Sequence, residues 1–140
     1  MAYEKKIIYN NPLSCEKDIE GFVTEGTPKI YFKNNKMYMT NAIKASIKEK
    51  SNFVFWCPVD FPNNIIIEWE FRPITEPGLA IMFFGAKGIH GEDIFDVTLN
   101  PRDGQYEQYH SGDINAFHVS YFRRKSTFST SSFKSFPLSR

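Results

Sequence analysis

Short apolar or alternating runs separated by turn-forming residues recur from Lys5 to Arg124, which is the pattern of an antiparallel sandwich or barrel. The runs predict strands at Lys5–Tyr9, Gly21–Thr24, Lys29–Lys33, Lys36–Thr40, Asn52–Cys57, Ile65–Arg72, Leu79–Ala86, Asp93–Leu99, Tyr106–His110 and Ala116–Arg123. Asn34-Asn35 marks a tight hairpin turn, and Ser111-Gly112-Asp113 is expected to join the last two strands as a second one. Helix is scarce. Ala42–Lys50 has Ile43 and Ile47 four apart, but lysines ring it too fully for a broad apolar stripe, so one or two turns is the expectation.

The clearest strand is Ile65–Arg72. Period two places Ile65, Ile67, Trp69 and Phe71 on one face and Ile66, Glu68, Glu70 and Arg72 on the other. A strand that is apolar on one side and charged on the other lines a sheet with one wet face. Ala116–Arg123 follows the same logic, with Phe117, Val119 and Tyr121 expected in the core and His118 and Ser120 on the opposite side. Trp56 ends a Phe-Val-Phe run that reads as buried on both faces. Fourteen Phe and seven Tyr strengthen the all-β reading, because aromatic side chains favour strands.

A net charge of +1, with no basic cluster denser than Arg123, Arg124 and Lys125, gives no field to draw in nucleic acid. Glu68 interrupts even the greasiest segment, Ile65–Ile67, so no stretch is long enough to span a bilayer and no membrane partner is expected. Lys5 and Lys6 have no apolar run behind them to form an export signal. Cys57 ends an apolar run, where a free buried thiol is the usual occupant. Together these predict a cytoplasmic protein. Gly78, Gly85, Gly88 and Gly91 precede no helix start, so no phosphate-binding motif and no cofactor is expected.

Five blocks carry a resemblance: Phe55–Pro62, Glu68–Phe71, Glu76–Ala80, Gly91–Asp96 and the long Gln108–Arg124. Over Asn52 to Lys125 the sequence resembles a bacterial YesU-like family of unknown function. The resemblance implies an antiparallel jelly-roll β-sandwich, galectin-like and of the concanavalin A-like lectin/glucanase kind, and a ligand drawn from pectin-derived or other acidic oligosaccharides. Family members run on through several more strands. Here the last fifteen residues hold six serines and no acidic residue, a bias typical of disorder. The expectation is therefore one domain portion over 1–125, incomplete at its C-terminus, and an unpaired tail over 126–140.

Glu68 and Glu70 lie two apart on a strand, about 6.5 to 7 Å between Cα atoms on one face. That spacing lets their carboxyl groups approach the roughly 5 to 5.5 Å of a retaining glycosidase, with one nucleophile and one acid; the other reading is a pair of solvated glutamates. Gln108 and His110, on a common strand face, suggest a uronate lyase instead. There Gln, His and Arg72 neutralise the substrate carboxylate and a His or Tyr moves the proton. His118 completes the catalytic candidates, while Arg72, Tyr106 and Asn115 are the candidate substrate-binding residues, Tyr106 as a stacking platform beside Gln108 and His110. His110, Asp113, Asn115 and His118 fall within a nine-residue stretch around a tight turn, but the turn explains Asp113 and Asn115 and the spacing matches no zinc or calcium pattern, so no metal is expected. A non-catalytic sugar-binding module and a fragment without activity of its own stay open beside the enzyme readings.

Overall fold

The computed structural model describes residues 4–43, 49–75, 78–121 and 131–133. Among them the regular structure is almost entirely strand, paired as four two-stranded antiparallel sheets. The chain divides into two compact units, Met1–Pro58 with Asn100–Gln108, and Val59–Leu99 with Tyr109–Arg140.

In the first unit, a 3-10 turn at Glu16–Ile19 precedes β1 (Val23–Gly26), β2 (Pro28–Lys33), β3 (Lys36–Asn41) and β4 (Phe53–Trp56). β2 and β3 form a hairpin closed by Lys33 opposite Lys36. Asn34 and Asn35 turn it with φ of 51° and 56°, the left-handed pair of a type I′ turn that Asn tolerates better than other side chains. β1 pairs with β4, setting Val23 opposite Trp56 and Gly26 opposite Phe53. The Phe-Val-Phe-Trp run is half-buried over Phe53–Phe55 and buried only at Trp56, which is 8% exposed. Only residues 49–51 of the possible helix Ala42–Lys50 and its flank are described at its C-terminal end, as one 3-10 turn; 44–48 lie outside the described residues.

This unit contains a buried ion pair that no local pattern announces. Glu25, on β1, accepts from Arg102 Nη2 at 2.7 Å and from Arg102 Nε at 3.0 Å, both at Oε1. The two side chains are 6% and 10% exposed. Beside it, three backbones cross closely. A Cβ on Gly26 would lie 2.6 Å from the Asn52 carbonyl oxygen, and one on Gly104 would collide with the same oxygen. Both glycines also hold positive φ, 87° and 97°, so neither position accepts a side chain without strain.

The second unit holds β5 (Trp69–Phe71), β6 (Ala80–Gly88), β7 (Ile114–Tyr121) and β8 (Ser131–Phe133). β6 pairs with β7 over its whole length. One extra residue between Phe84 and Lys87 makes a bulge, and Gly85 within it has φ of 61°, the left-handed conformation that such bulges assign to glycine. A four-residue helix, α1 (Glu107–His110), crosses the boundary between the units.

Five expectations are corrected. Tyr106–His110 is not a strand, since α1 occupies Glu107–His110, and β7 pairs with β6 in place of the expected hairpin partner. Asp93–Leu99 is a run of turns, because Asp93 Oδ1 accepts from the Phe95 N–H and Asp96 Oδ1 from the Thr98 N–H and hydroxyl; short aspartate side chains satisfy the backbone locally and outcompete a ladder. Lys5–Tyr9 joins no sheet, and Ile7 is 80% exposed. Phe117 is not core but 63% exposed, stacked instead on its cross-strand neighbour Phe84 at 5.7 Å. Finally, the tail is not wholly unpaired: Ser131–Phe133 forms β8 against β5, with Trp69 opposite Phe133 and Phe71 opposite Ser131. Pairing needs only backbone N–H and C=O groups, so three residues without proline suffice whatever their composition.

Candidate functional site

The alternation predicted for Ile65–Arg72 is present residue by residue, although only Trp69–Phe71 is paired. Ile65, Ile67, Trp69 and Phe71 are half-buried, and Ile66, Glu68, Glu70 and Arg72 are exposed. Glu68, Glu70 and Arg72 therefore project from one side of one segment. Among the described residues none of the three has a hydrogen-bond or ion-pair partner. In register with them, β8 sets Ser132 opposite Glu70. Two carboxylates and a guanidinium in a row, without a partner among the described residues, form a polar strip that can take hydroxyls as donors and a ligand carboxylate as acceptor.

His118 lies on β7 in the same unit, with Ile114, Ala116 and Ser120 on its face. It sits opposite Phe83 of β6, its ring edge-on to the phenyl at 6.0 Å and 62°. Phe83 also packs on Tyr109, at 5.5 Å between centroids, and Tyr109 is 5% exposed. Tyr109 thus anchors the end of α1 on the sheet beside His118, and leaves its neighbour His110 exposed, with Nδ1 2.9 Å from Ser111 Oγ. The structure brings His118 to the Phe83–Tyr109 aromatic pair.

The remaining candidates are dispersed. On a helix, residues two apart point in different directions, so Gln108 and His110 do not share the face that a strand would have given them. Gln108 is half-buried and its Oε1 accepts from the Asp103 backbone N–H at 2.9 Å, bracing the loop before α1. The Gln105 side chain, and after it that of Gln108, hold the Asp103 carboxyl below the usual carboxylate range. Tyr106 is 36% exposed and precedes the helix. Asn115 is exposed on β7 opposite Lys87, on the other face of the strand from His118. Among the described residues no group of three or more His, Cys, Asp or Glu side chains is placed to hold a metal ion, and no helix is long and apolar enough to cross a membrane. Sequence reasoning missed Phe83 and Tyr109 as the packing around His118. Only the three-residue spacing of Tyr106 and Tyr109 hinted at a helical turn.

Comparison with known proteins places these features in a family. YesU of Bacillus subtilis (strain 168), an uncharacterized protein, is 46% identical over 125 residues, which is 89% of this chain and 54% of YesU. The crystal structure of a Bacillus subtilis protein of unknown function with a galectin-like fold matches with a TM-score of 0.78 at 44% identity, over 90% of this chain and 55% of that one. The chain thus spans about half the length of the relatives that it matches, and its strands belong to a galectin-like, all-β sandwich. The family match extends over residues 6–137, on both sides of the Asn52–Lys125 region where the resemblance is plainest. The chain is a member of the family described as a domain of unknown function, DUF1961.

Proposed function

We propose that the protein binds acidic oligosaccharides of the pectin-derived type, through the Glu68, Glu70 and Arg72 strip together with the exposed His110 and His118. The observation that carries this reading is the strip itself, three charged side chains on the exposed side of a segment whose opposite side is half-buried, with no protein partner among the described residues. Arg72 suits a uronate carboxylate, and the glutamates suit sugar hydroxyls. The galectin-like fold of the 44% identical solved relative supports a sugar as the ligand, and two free thiols, Cys15 and Cys57, support a reducing, cytoplasmic setting.

The spacing of Glu68 and Glu70 favours a second reading, hydrolysis of the bound sugar by the carboxylate pair. The lyase reading rests on His118 and His110 as bases, with Arg72 neutralising the substrate, and without Gln108, whose side chain is engaged by Asp103. One experiment separates the three. The protein is titrated calorimetrically with oligogalacturonate, and the mixture is followed for reducing ends and for ultraviolet absorption. Heat without either signal supports the binding module; new reducing ends without absorption support hydrolysis; both together support elimination, which leaves an unsaturated uronate. No heat with acidic or neutral oligosaccharides would refute the carbohydrate reading.

A further inference from the structure

The hairpin β2–β3 carries a face that none of the chemistry above uses. Residues directly opposite in an antiparallel pair share a face, so Lys29 with Thr40, Tyr31 with Tyr38, and Lys33 with Lys36 all project from the same side. Tyr31 and Tyr38 stack nearly parallel, 5.0 Å between centroids and 9° between planes, and Tyr31 is 42% exposed. Lys29, Lys33 and Lys36 are exposed, and among the described residues none has a carboxylate partner. The hairpin from Pro28 to Asn41 contains no acidic residue. Glu25, just before it, is already neutralised by Arg102. On the other side Ile30, Phe32 and Met37 are half-buried and Met39 is exposed, while every residue of the lysine and tyrosine side except half-buried Tyr38 is exposed, so the latter is the face more open to solvent.

We propose that this face is a binding site for an anionic oligosaccharide, a uronate-containing chain lying across the tyrosine pair with its carboxylates on the lysines. Two features select that class. Like charges directly opposite destabilise a strand pair, and Lys33 and Lys36 sit in that relation at the end of the hairpin; a carboxylate between them offsets the repulsion. The outer face of a stacked aromatic ring is electron-rich and accepts the C–H face of a pyranose, whose hydrogens carry partial positive charge. Lys29 and Lys33 lie about 13 Å apart along β2, with Tyr31 midway, so charge flanks the stacking platform on both sides. Compact ammonium groups suit scattered carboxylates, whereas phosphate recognition favours the forked guanidinium of Arg, and this face has none. The choice of a sugar rests on the carbohydrate reading above; the location and the charge requirement do not.

The test is a titration of the protein with oligogalacturonate, its carboxyl-reduced neutral counterpart, and single-stranded DNA of matched charge, followed by tyrosine fluorescence and calorimetry. Oligogalacturonate is expected to bind with an affinity that falls as salt is added, at least tenfold more tightly than the reduced form. Tyr31→Ala and the double change Lys33→Gln, Lys36→Gln should each weaken it about tenfold. The lysine changes are on the surface and remove a repulsion, so folding is retained and checked by circular dichroism. Equal binding of the reduced form, unchanged affinity in the lysine variant, or tighter binding of DNA than of the sugar would overturn the site. If acidic sugar binds but only Glu68→Gln or Arg72→Gln weakens it, the carbohydrate reading stands and the hairpin site falls. If no sugar binds while inorganic polyphosphate does so through the lysines, the sugar assignment is wrong.

Discussion

Replacing Arg102 by Met is expected to cost about 3 to 5 kcal/mol, because it leaves the Glu25 carboxylate buried without its counter-ion. Glu25 is 9% exposed and receives both guanidinium hydrogen bonds on one oxygen. Water can repay little of the loss without opening the crossing of β1 with the segments around Asn52 and Gly104. For a chain of this size each kcal/mol is worth roughly 3 °C in melting temperature, so a fall on the order of 10 °C is expected. The pair joins residues 77 apart in sequence, and it lies in the unit that contains Trp56, whereas Trp69 lies in the other. Urea unfolding followed by fluorescence in a Trp69→Phe background therefore reads the affected unit directly. The midpoint should fall with the slope unchanged, the signature of lost stability without a changed denatured state. Removing both charges, Glu25→Leu with Arg102→Met, should recover most of the loss, since a hydrophobic pair of similar volume is often neutral or better than a buried ion pair. A loss under about 1 kcal/mol for Arg102→Met would show that water reaches Glu25 and that the pair behaves as a surface one.

Three other outcomes follow from the structure. Gly91→Ala should cost about 1 to 2 kcal/mol from its positive φ alone, and Gly104→Ala clearly more; both have φ near 90°, but only Gly104 meets the Asn52 carbonyl, and Gly91 has nothing within 4 Å, so equal urea midpoints would sink the packing argument. Phe117→Ala should lose only about 0.5 to 1.5 kcal/mol, the worth of an aromatic pair, whereas a core phenylalanine loses about 3 to 5, and thermal melts decide between them. The Ser14 hydroxyl, and after it the Ser14 backbone N–H, hold the Asp18 carboxyl below its usual range. A depressed folded value makes the contribution present above the unfolded value and lost as pH falls through the folded one, so Asp18→Asn should flatten the acid limb of a plot of urea midpoint against pH, and an unaltered limb would refute it.

The sequence by itself determined those elements whose signal is local. Asn34-Asn35 between alternating runs specifies the β2–β3 hairpin, because few side chains accept the turn's positive φ. The two-residue period of Ile65–Arg72 assigns its wet and covered faces even where no ladder forms, since side chains alternate along any extended backbone. The glutamates and Arg72 were placed correctly for that reason. Tyr106–His110 was not, because five residues are too few to separate a period of two from one of 3.6; in the fold, Glu107–His110 is a helical turn with Tyr109 buried against Phe83. Asp93–Leu99 carried its own local signal, aspartates two residues before N–H groups that they cap, and apolar composition masked it. Tertiary structure alone decided which partner each strand takes, including β8 for β5, and left Phe117 of β7 exposed. It alone joined Glu25 to Arg102 and set His118 against the aromatic pair of Phe83 and Tyr109. These are contacts between distant residues, whose free energy depends on burial and geometry that only the folded chain creates.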